Sequence, residues 1–511
     1  MNIAHHVARV ARTHPRHPAI VFEGASIDFA NLDSDAARLA RSLVEAGVTA
    51  GDRVALYLPN IPAFPLAYLA VQRVGAVAVS LNSTLTTDEV HYILNDCGAR
   101  IVFTVGELVQ NVPLDRCPTL THIVQCEGET GAAVPLADWL TGGFSSGPMT
   151  ARKAREPAAI LYTSGTTGRP KGATLTVGNV VSNARTTVRT MGFRRDDKVA
   201  AFLPLFHVFS QNVLMNAAFE AGSTLLLFRR VDPRLILRTI ETERATLLFA
   251  VPTIYSTLLT MRLEDYDLSA LRYVVSGAAP LPDELVHRWQ ARTGQPIYQG
   301  YGLTETSPLT NVNLPGQHRV GSVGKCVEGV ETRIVDASDQ EVPPGEWGEI
   351  CFRGPGVMQG YWNRPEESEL AMRGGWLHTG DIGRLDEEGY LFIVDRVKDM
   401  INVAGLKVWP AEIEQALYRH PDVREAAVYA APHRTRGEQV WADVVPKDRV
   451  ALTPNDVLAF CRQHLAPYKV PHRVNIVDAL PKSATGKVLK RVLRERAAIA
   501  GRQGIRSRDQ A

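Results

Sequence analysis

The central part of the chain alternates short apolar runs with amphipathic stretches. The apolar runs, which have the length and composition of buried strands, are Ala158–Tyr162, Val199–Leu203, Ser223–Phe228, Ala245–Val251 and Leu271–Ser276. Two of the intervening stretches begin with helix-start signals: an N-cap and first-turn proline at Asp232-Pro233, and acidic residues directly after Pro282. Alternating strands and helices predict an α/β fold with parallel sheets covered by helices, in which ligands bind at the carboxyl ends of the strands.

The pattern changes twice toward the C-terminus. From Val320 to Trp362 the chain is glycine-rich and strand-like, and after Asp395 a smaller α+β segment begins, with helices near Pro410–Arg419 and Pro454–Leu465. We therefore predict a large N-terminal domain over residues 1–395, which includes a β-rich segment. A small C-terminal domain follows over 396–511, with the boundary near 395–398. The polar, arginine-rich residues from about Gly501 predict a frayed tail.

Composition excludes several classes of protein. The 511 residues carry 56 Lys and Arg against 54 Asp and Glu, a net charge of +2, so no nucleic-acid partner is expected. Six scattered cysteines without a CxxC pair argue against a zinc site or a disulfide framework and favour a cytoplasmic location. The N-terminus lacks an apolar signal core, and the most apolar stretch, Ala245–Met261, is broken by Pro252, so no membrane span is expected.

The segment Tyr162–Gly172, YTSGTTGRPKG, is dense in Gly, Ser and Thr and carries one lysine, Lys171. It follows an apolar run, and a helical pattern starts at about Asn179. We therefore expect a loop between a strand and a helix, where backbone N–H groups and the helix N-terminus bind phosphate. The segment is not a Walker A loop, because Pro170 stands where that motif needs Gly and Gly172 where it needs Ser or Thr. A flexible surface turn is the alternative.

Five further motifs follow this loop in order: Gly277–Pro280, Tyr298–Glu305, Thr379–Asp381, Asp395–Glu414 and Pro481–Lys487. Together the six motifs resemble those of the adenylate-forming superfamily, which comprises acyl-CoA synthetases, luciferases and peptide-synthetase adenylation domains. The resemblance is closest to the stand-alone fatty-acyl or aryl CoA ligases. It implies that a carboxylic acid reacts with Mg-ATP to give an acyl adenylate and pyrophosphate. The acyl group then passes to coenzyme A (CoA) with release of AMP.

The resemblance also assigns residues to the nucleotide. Lys487, Glu305, Thr304 and Lys171 are the implied catalytic residues, and Glu305 and Thr167 the implied ligands of Mg²⁺. The residues implied to bind ATP or AMP are Thr163, Ser164, Gly165, Thr166, Thr167, Gly168, Lys171, Gly277, Ala278, Ala279, Gln299, Gly300, Tyr301, Gly302, Thr304, Asp381, Arg396 and Lys487.

Three of these residues have ordinary structural interpretations as well. Tyr301, flanked by glycines, suits stacking on adenine, but core packing is the usual fate of a tyrosine. Asp381 suits the two ribose hydroxyls, but an Asp after Gly380 is also a common turn residue. Lys487 precedes a basic helical stretch, Val488–Arg496, and could begin a solvated face. In the superfamily this lysine instead bridges the substrate carboxylate and the α-phosphate.

The second half-reaction implies a mobile small domain. Lys398 is the implied hinge, and Ala404, Gly405 and Leu406 the implied lining of the CoA tunnel. Some relatives carry Lys at the positions of Asn402 and Ala404, so phosphate contacts at these two residues are not carried over.

The implied acyl pocket contains His207, Val208, Phe209, Leu303 and Leu309, which are largely apolar. A medium- or long-chain fatty acid is the expected substrate, and an aryl acid is the alternative. His207 is expected either to stand at the mouth of this pocket or to be a core histidine. Other open interpretations are an acyl carrier protein as acceptor, a luciferase-like oxygenase and a non-catalytic adenylate or acyl-CoA sensor. The chain is expected to be a monomer or homodimer.

Overall fold

The computed structural model describes residues 2–128, 133–141, 147–163, 169–396, 399–403, 406–433, 437–448, 450–484 and 486–506. Its strands are β1 (Pro18–Phe22), β2 (Ala25–Asp28), β3 (Arg53–Leu56), β4 (Val77–Ser80), β5 (Ala99–Thr104), β6 (His122–Gln125), β7 (Val134–Pro135), β8 (Pro157–Thr163), β9 (Lys171–Thr176), β10 (Lys198–Ala201), β11 (Thr224–Leu227), β12 (Leu247–Ala250), β13 (Tyr273–Ser276), β14 (Tyr298–Gly302), β15 (Leu309–Val312), β16 (Lys325–Cys326), β17 (Glu331–Val335), β18 (Gly348–Arg353), β19 (Gly360–Tyr361), β20 (Leu377–Leu385), β21 (Leu391–Arg396), β22 (Ile401–Val403), β23 (Leu406–Val408), β24 (Val423–His433), β25 (Gly437–Pro446) and β26 (Arg473–Ile476).

Its α-helices are α1 (Ile3–Thr13), α2 (Phe29–Glu45), α3 (Ala63–Val74), α4 (Thr87–Cys97), α5 (Gly106–Val109), α6 (Leu136–Trp139), α7 (Val177–Met191), α8 (Ala217–Ala221), α9 (Pro233–Glu243), α10 (Pro252–Leu258), α11 (Asp283–Thr293), α12 (Pro365–Ala371), α13 (Pro410–Tyr418), α14 (Pro454–His464) and α15 (Lys490–Arg506). A π-helical segment, Phe209–Asn216, leads directly into α8. Among the described residues, no helix combines the length and the apolar character that crossing a membrane requires.

Two large sheets form the N-terminal region. One has nine strands in the order β16-β15-β14-β13-β12-β10-β11-β1-β2, and the other has eight in the order β19-β9-β8-β4-β3-β5-β6-β7. Parallel pairs form the centre of both sheets, as the alternation of strands and helices predicts. The largest hydrophobic core takes residues from both sheets and from the helices between them. Helix α3 is buried on nearly every face, which explains why its sequence is apolar all round.

Two smaller sheets follow. The antiparallel sheet β17-β18-β20-β21 holds the glycine-rich segment, and β22–β26 form a five-stranded sheet packed by α13, α14 and α15. The predicted α/β fold, with a large parallel-sheet domain and a small C-terminal domain, is confirmed. The boundary near 395–398 stays a prediction: β21 ends at Arg396, and residues 397 and 398 lie outside the described residues.

One sequence-based expectation was wrong. The residues after the glycine-rich loop form strand β9, which pairs antiparallel with β8, and α7 begins only at Val177. The loop therefore joins two strands, and no helix N-terminus follows it directly. The predicted frayed tail from about Gly501 stays a prediction: α15 is described to Arg506, and residues 507–511 lie outside the described residues.

Candidate active site

The glycine-rich loop stands on an anchored strand pair. Thr163 at the end of β8 pairs with Lys171 at the start of β9, and Ser164, Gly165, Thr166, Thr167 and Gly168 between them lie outside the described residues. Below the loop, the Tyr162 hydroxyl donates to Asp96 Oδ2 at 2.6 Å. Arg364 donates to the other oxygen of the same carboxylate at 3.0 Å. The end of β8 is thus held against α4, and on the other side of the loop the Tyr92 hydroxyl of α4 donates to Pro170 O at 3.2 Å.

A tyrosine that the sequence analysis missed connects two predicted catalytic residues. The Tyr361 hydroxyl donates to Glu305 Oε1 at 2.9 Å. Lys171 Nζ lies 5.5 Å from the centre of the Tyr361 ring and 3.8 Å from Glu367 Oε1. Burial, followed by the charge of Glu305, raises the pKa of Tyr361, so its proton stays on the phenol. Tyr361 thus places the lysine and the carboxylate on one surface.

Glu305 suits a hard cation. It lies half-buried in the short 3₁₀ turn Thr304–Thr306 that follows β14, and Thr304 precedes it in the same turn. Mg²⁺ takes one or two protein carboxylates together with phosphate oxygens and water, and a half-exposed glutamate offers such an oxygen. Thr167, the other predicted ligand, lies outside the described residues.

Asp381 is the centre of a buried polar group. The Tyr301 hydroxyl donates to its Oδ2 at 2.5 Å, and Arg396 Nε lies 3.0 Å from its Oδ1. Asp381 is 5% exposed, yet Oδ1 makes no hydrogen bond to any described residue. Apart from the Arg396 ion pair, this oxygen keeps lone-pair capacity that a ligand donor can use. Burial and the Asp381 charge raise the pKa of Tyr301, whose ring also packs against Phe352.

The backbone beside Tyr301 lies close to other parts of the chain. A Cβ on Gly302 would lie 1.8 Å from Pro308 O, so only glycine fits there. On the neighbouring strand, a Cβ on Gly277 would lie 3.4 Å from the Phe209 ring.

The other described residues predicted to bind ATP or AMP near these strands are Ala278, Ala279, Gln299 and Gly300. Ala278 and Ala279 follow β13, Gln299 and Gly300 lie within β14, and none of the four is fully buried. Their role toward adenine stays a prediction.

Lys487 lies on a tight turn that docks on the large domain. Within the turn, Ser483 N donates to Lys487 O at 2.8 Å, and Lys487 N donates to Ser483 Oγ at 3.2 Å. Thr253 Oγ1, at the start of α10, donates to Gly486 O at 3.4 Å. Burial and, second, the charge of Lys487 lower the pKa of His207 to about 4. The structure therefore brings Lys487, from the small domain, to the predicted acyl pocket.

A narrow cavity lies at this place. Its lining consists of Leu203, Pro204, His207, Phe209, Ser210, Val251 and Ala278. Of the residues predicted for the acyl pocket, His207 and Phe209 line it, but Val208, Leu303 and Leu309 do not. Val208 and Leu309 are buried in two hydrophobic cores, and Leu303 packs against the core of the small antiparallel sheet. The sequence shows their apolar character but not the direction of each side chain.

Most of the residues predicted for the domain rotation lie outside the described residues: Lys398, Ala404 and Gly405. Leu406 begins β23 and is exposed. Near the boundary, Lys490 Nζ lies 2.9 Å from Glu414 Oε1 and 3.8 Å from Asp395 Oδ2. Asp395 Oδ2 also accepts a hydrogen bond from Ala411 N at 3.1 Å. This group joins the last strand of the large domain to the helix that follows Lys487.

Two family profiles match the chain. The profile of the AMP-binding enzyme family covers residues 7–362, and that of the AMP-binding enzyme C-terminal domain covers residues 412–487.

Two curated relatives are similar along nearly their whole length. The feruloyl-CoA synthase of Amycolatopsis sp. is 38% identical over 492 residues, which are 96% of this chain and 97% of the relative. The long-chain-fatty-acid–CoA ligase of Bacillus subtilis is 35% identical over 514 residues, with 94% and 92% covered. Among solved structures, the anthranilate CoA ligase AuaEII in complex with anthranoyl-AMP has a TM-score of 0.91 at 29% identity, and 98% of each chain is covered.

Proposed function

Because this chain belongs to the AMP-binding enzyme family and is an AMP-forming acid–CoA ligase, we propose that its substrate is a compact aryl acid. ATP and CoA are the other two substrates. The observation that carries the choice of acid is the narrow, mostly apolar cavity beside Lys487 and His207, with the Phe209 ring in its wall.

The cavity suits a ring better than a long chain. It offers little free space, whereas a long acyl chain needs an extended apolar channel, and the Phe209 ring in its wall can stack on an aryl acid. Apolar side chains form most of the wall. The printed names of two similar proteins, a feruloyl-CoA synthase and an anthranilate CoA ligase, also refer to aryl acids.

The proposed first step brings together anions that repel each other. The substrate carboxylate attacks the α-phosphorus of ATP, and pyrophosphate leaves. Lys487, beside the cavity, and Lys171, at the end of the glycine-rich loop, would neutralise the developing charge. Asp381, with an oxygen free of hydrogen bonds to described residues, would accept the ribose hydroxyls. When bound at Glu305, Mg²⁺ would supply further positive charge to the phosphates.

No general base is needed in this step. A carboxylic acid is already ionised near neutral pH. His207 is neutral there as well, because its pKa is lowered to about 4. We propose that His207 acts through its shape and hydrogen bonding at the cavity wall.

In the second step the CoA thiol attacks the acyl adenylate and AMP leaves. We propose that the small domain rotates about Lys398, which removes Lys487 and brings Ala404, Gly405 and Leu406 to the thiol. The described orientation is the one that the first step requires, since Lys487 lies near His207 and Leu406 is exposed.

A medium- or long-chain fatty acid is the second candidate. The Bacillus subtilis relative with that activity in its name is similar over 94% of this chain. An acyl carrier protein in place of free CoA is a further candidate acceptor.

The test is pyrophosphate release across a panel of acids, with and without CoA. The panel contains benzoate, anthranilate, cinnamate, ferulate, octanoate and palmitate, and the thioester product is identified by mass. We expect the highest kcat/KM for an aryl acid. A kcat/KM that rises about fourfold per CH₂, the equivalent of about 0.8 kcal/mol, would favour the fatty acid instead. Formation of ADP, or no pyrophosphate with any acid, would contradict the proposed reaction.

A further inference from the structure

The Asp381 carboxylate is presented by a large bulge in β20. In the pairing of β18 with β20, Glu349 faces Ile382 and Cys351 faces His378. One residue of β18, Ile350, therefore faces three residues of β20, Thr379–Asp381. A bulge of this kind re-aims a side chain and leaves backbone groups without their ladder partners. Gly380 inside it has φ +70°, a conformation that favours glycine.

Two side chains replace the missing ladder bonds. Glu349 Oε1 accepts a hydrogen bond from Gly380 N at 2.9 Å. The Thr379 hydroxyl donates to Ile350 O at 2.8 Å and accepts from Asp381 N at 3.0 Å. The backbone of the bulge thus depends on Glu349 and Thr379, since buried backbone groups require partners.

The Glu349 carboxylate is itself held in place. Its Oε2 lies 2.9 Å from His378 Nδ1 and 3.2 Å from an Arg373 nitrogen. Arg373 also donates to Asp339 Oδ2 at 2.8 Å. With both oxygens engaged, Glu349 has one orientation toward Gly380.

The same place offers three metal-ligating atoms, from Glu349, Cys351 and His378, within 4.8 Å of one another. One observation favours a supporting role instead of a metal site. The carboxylate is already paired with the Arg373 guanidinium.

We propose that Glu349 and Thr379 are positioning residues for nucleotide binding: they hold the Thr379–Asp381 bulge so that Asp381 meets the ribose hydroxyls of ATP. The inference rests on the proposed role of Asp381 toward ribose. It predicts that loss of either support weakens recognition of the ribose more than recognition of the rest of the nucleotide.

The first test replaces Glu349 and measures the Kd of AMP and of 2′,3′-dideoxy-AMP by titration calorimetry. Glu349→Ala should weaken AMP binding about tenfold, because a buried N–H loses its acceptor, and should leave dideoxy-AMP nearly unchanged. The ratio of the Kd of 2′,3′-dideoxy-AMP to the Kd of AMP should therefore fall toward one. Glu349→Gln keeps an acceptor oxygen and should stay within about threefold of wild type. Glu331→Ala is the matched control, since Glu331 lies on the neighbouring strand in an exposed ion pair with Arg353.

The second test uses Thr379, which stands on the other side of the bulge. Thr379→Val keeps the shape and removes the hydroxyl, and should lower the ratio as Glu349→Ala does. Thr379→Ser keeps the hydroxyl and should restore it. This pair carries the test by itself if Glu349→Ala does not fold.

Asp381→Ala distinguishes a failure of the positioning role of Glu349 and Thr379 from a failure of the ribose contact of Asp381. If Asp381→Ala lowers the ratio but Glu349→Ala and Thr379→Val do not, the positioning role is wrong. If Asp381→Ala leaves the ratio of wild type unchanged, the ribose assignment within the proposed function is wrong, and the positioning role falls with it. A KM for the acid that rises as much as the KM for ATP would also contradict the proposal.

Discussion

Two charged residues of the proposed nucleotide site, Asp381 and Lys487, are presented in opposite ways. Asp381 is 5% exposed on a bulge whose backbone is bonded to side chains of its own sheet. Lys487 is exposed, on a turn closed by Ser483, and Thr253 holds that turn to the large domain through a 3.4 Å hydrogen bond. The difference matches the demands of a two-step reaction. A group needed while the nucleotide stays bound is built into a sheet, and a group needed for one step lies on a turn that can leave.

Of the changes that test this comparison, removing the ammonium group of Lys487 should have the largest effect on the reaction rate. We expect Lys487→Ala to slow adenylation at least about a hundredfold, as loss of one positioned charge-stabilising donor does. Thioester formation from chemically prepared acyl adenylate should be nearly intact. The two half-reactions are measured separately, with Lys482→Ala as control, because Lys482 lies on the same turn but pairs with Glu425 at 2.7 Å. An equal loss of rate in both steps would contradict the assignment of Lys487 to adenylation alone.

Displacing the Lys487 turn without removing its charge should have a smaller effect. Gly486 has φ +82°, and a Cβ there would lie 3.0 Å from Thr253 Oγ1 and 3.1 Å from Val251. Gly486→Ala should therefore slow adenylation roughly tenfold, since a left-handed conformation alone costs about 1–2 kcal/mol for a residue with a Cβ.

The matched control is Gly389→Ala, which has the same φ of +82° but no atom within 4 Å of the new Cβ. Gly389→Ala should lower the stability of the fold and leave the rates of both half-reactions unchanged. If both variants change the half-reactions in the same way, the contact with Thr253 and Val251 is irrelevant.

His207→Ala should change activity about threefold and alter the preference among ring-bearing acids. The side chain lines the cavity, and a modest loss is expected when no proton transfer depends on it. Since its pKa is lowered to about 4, wild type and variant should have parallel pH profiles between pH 6 and 8. The measurement is the pH dependence of kcat/KM over that range in both proteins. If the variant lost a titrating step near neutral pH, His207 would act as a general base.

The smallest expected effect is on the pKa of His207 itself. The Lys487 charge is the second cause of its lowering, after burial, so Lys487→Ala should raise this pKa toward 6.5 while leaving it below that value. Because the pKa of His207 is lower in the folded chain than in the unfolded one, its contribution to the free energy of unfolding is complete above about pH 6.5. That contribution is lost as the pH falls toward 4. NMR titration of the imidazole in both proteins measures the shift, and an unchanged pKa would place Lys487 far from His207.

Local signals in the sequence predicted much of the fold. Asp232 caps α9 and Pro233 begins it, as the sequence indicates, because capping depends on neighbouring residues. Strand β9 was missed because its sequence, KGATLT, lacks a regular alternation and its pairing partners are β8 and β19. The bulge was missed for the same reason, since the register of β18 on β20 is not written in either strand alone.

The site residues also divide into those that motifs predicted and those that only the fold brings to light. The structure brings Tyr301, Asp381 and Arg396 together, and places Lys487 beside His207. Tyr361 and Glu349 could not be found from local sequence signals, because each acts on a residue that is distant along the chain. An aromatic residue after a glycine and a glutamate in a strand are ordinary features until the fold brings their partners near.

The group around Lys490 also sets an order for making the protein. Burial raises the pKa of Asp395 and of Glu414, and Lys490, the cation 2.9 Å from Glu414, is encoded 95 residues after Asp395 and 76 residues after Glu414. At about 5–20 residues per second, Asp395 waits roughly 5–20 s and Glu414 roughly 4–15 s on the ribosome for this counterion. The small domain is therefore completed only when the last helix has been synthesised, and a chain cut short before Lys490 retains two buried acids without their cation.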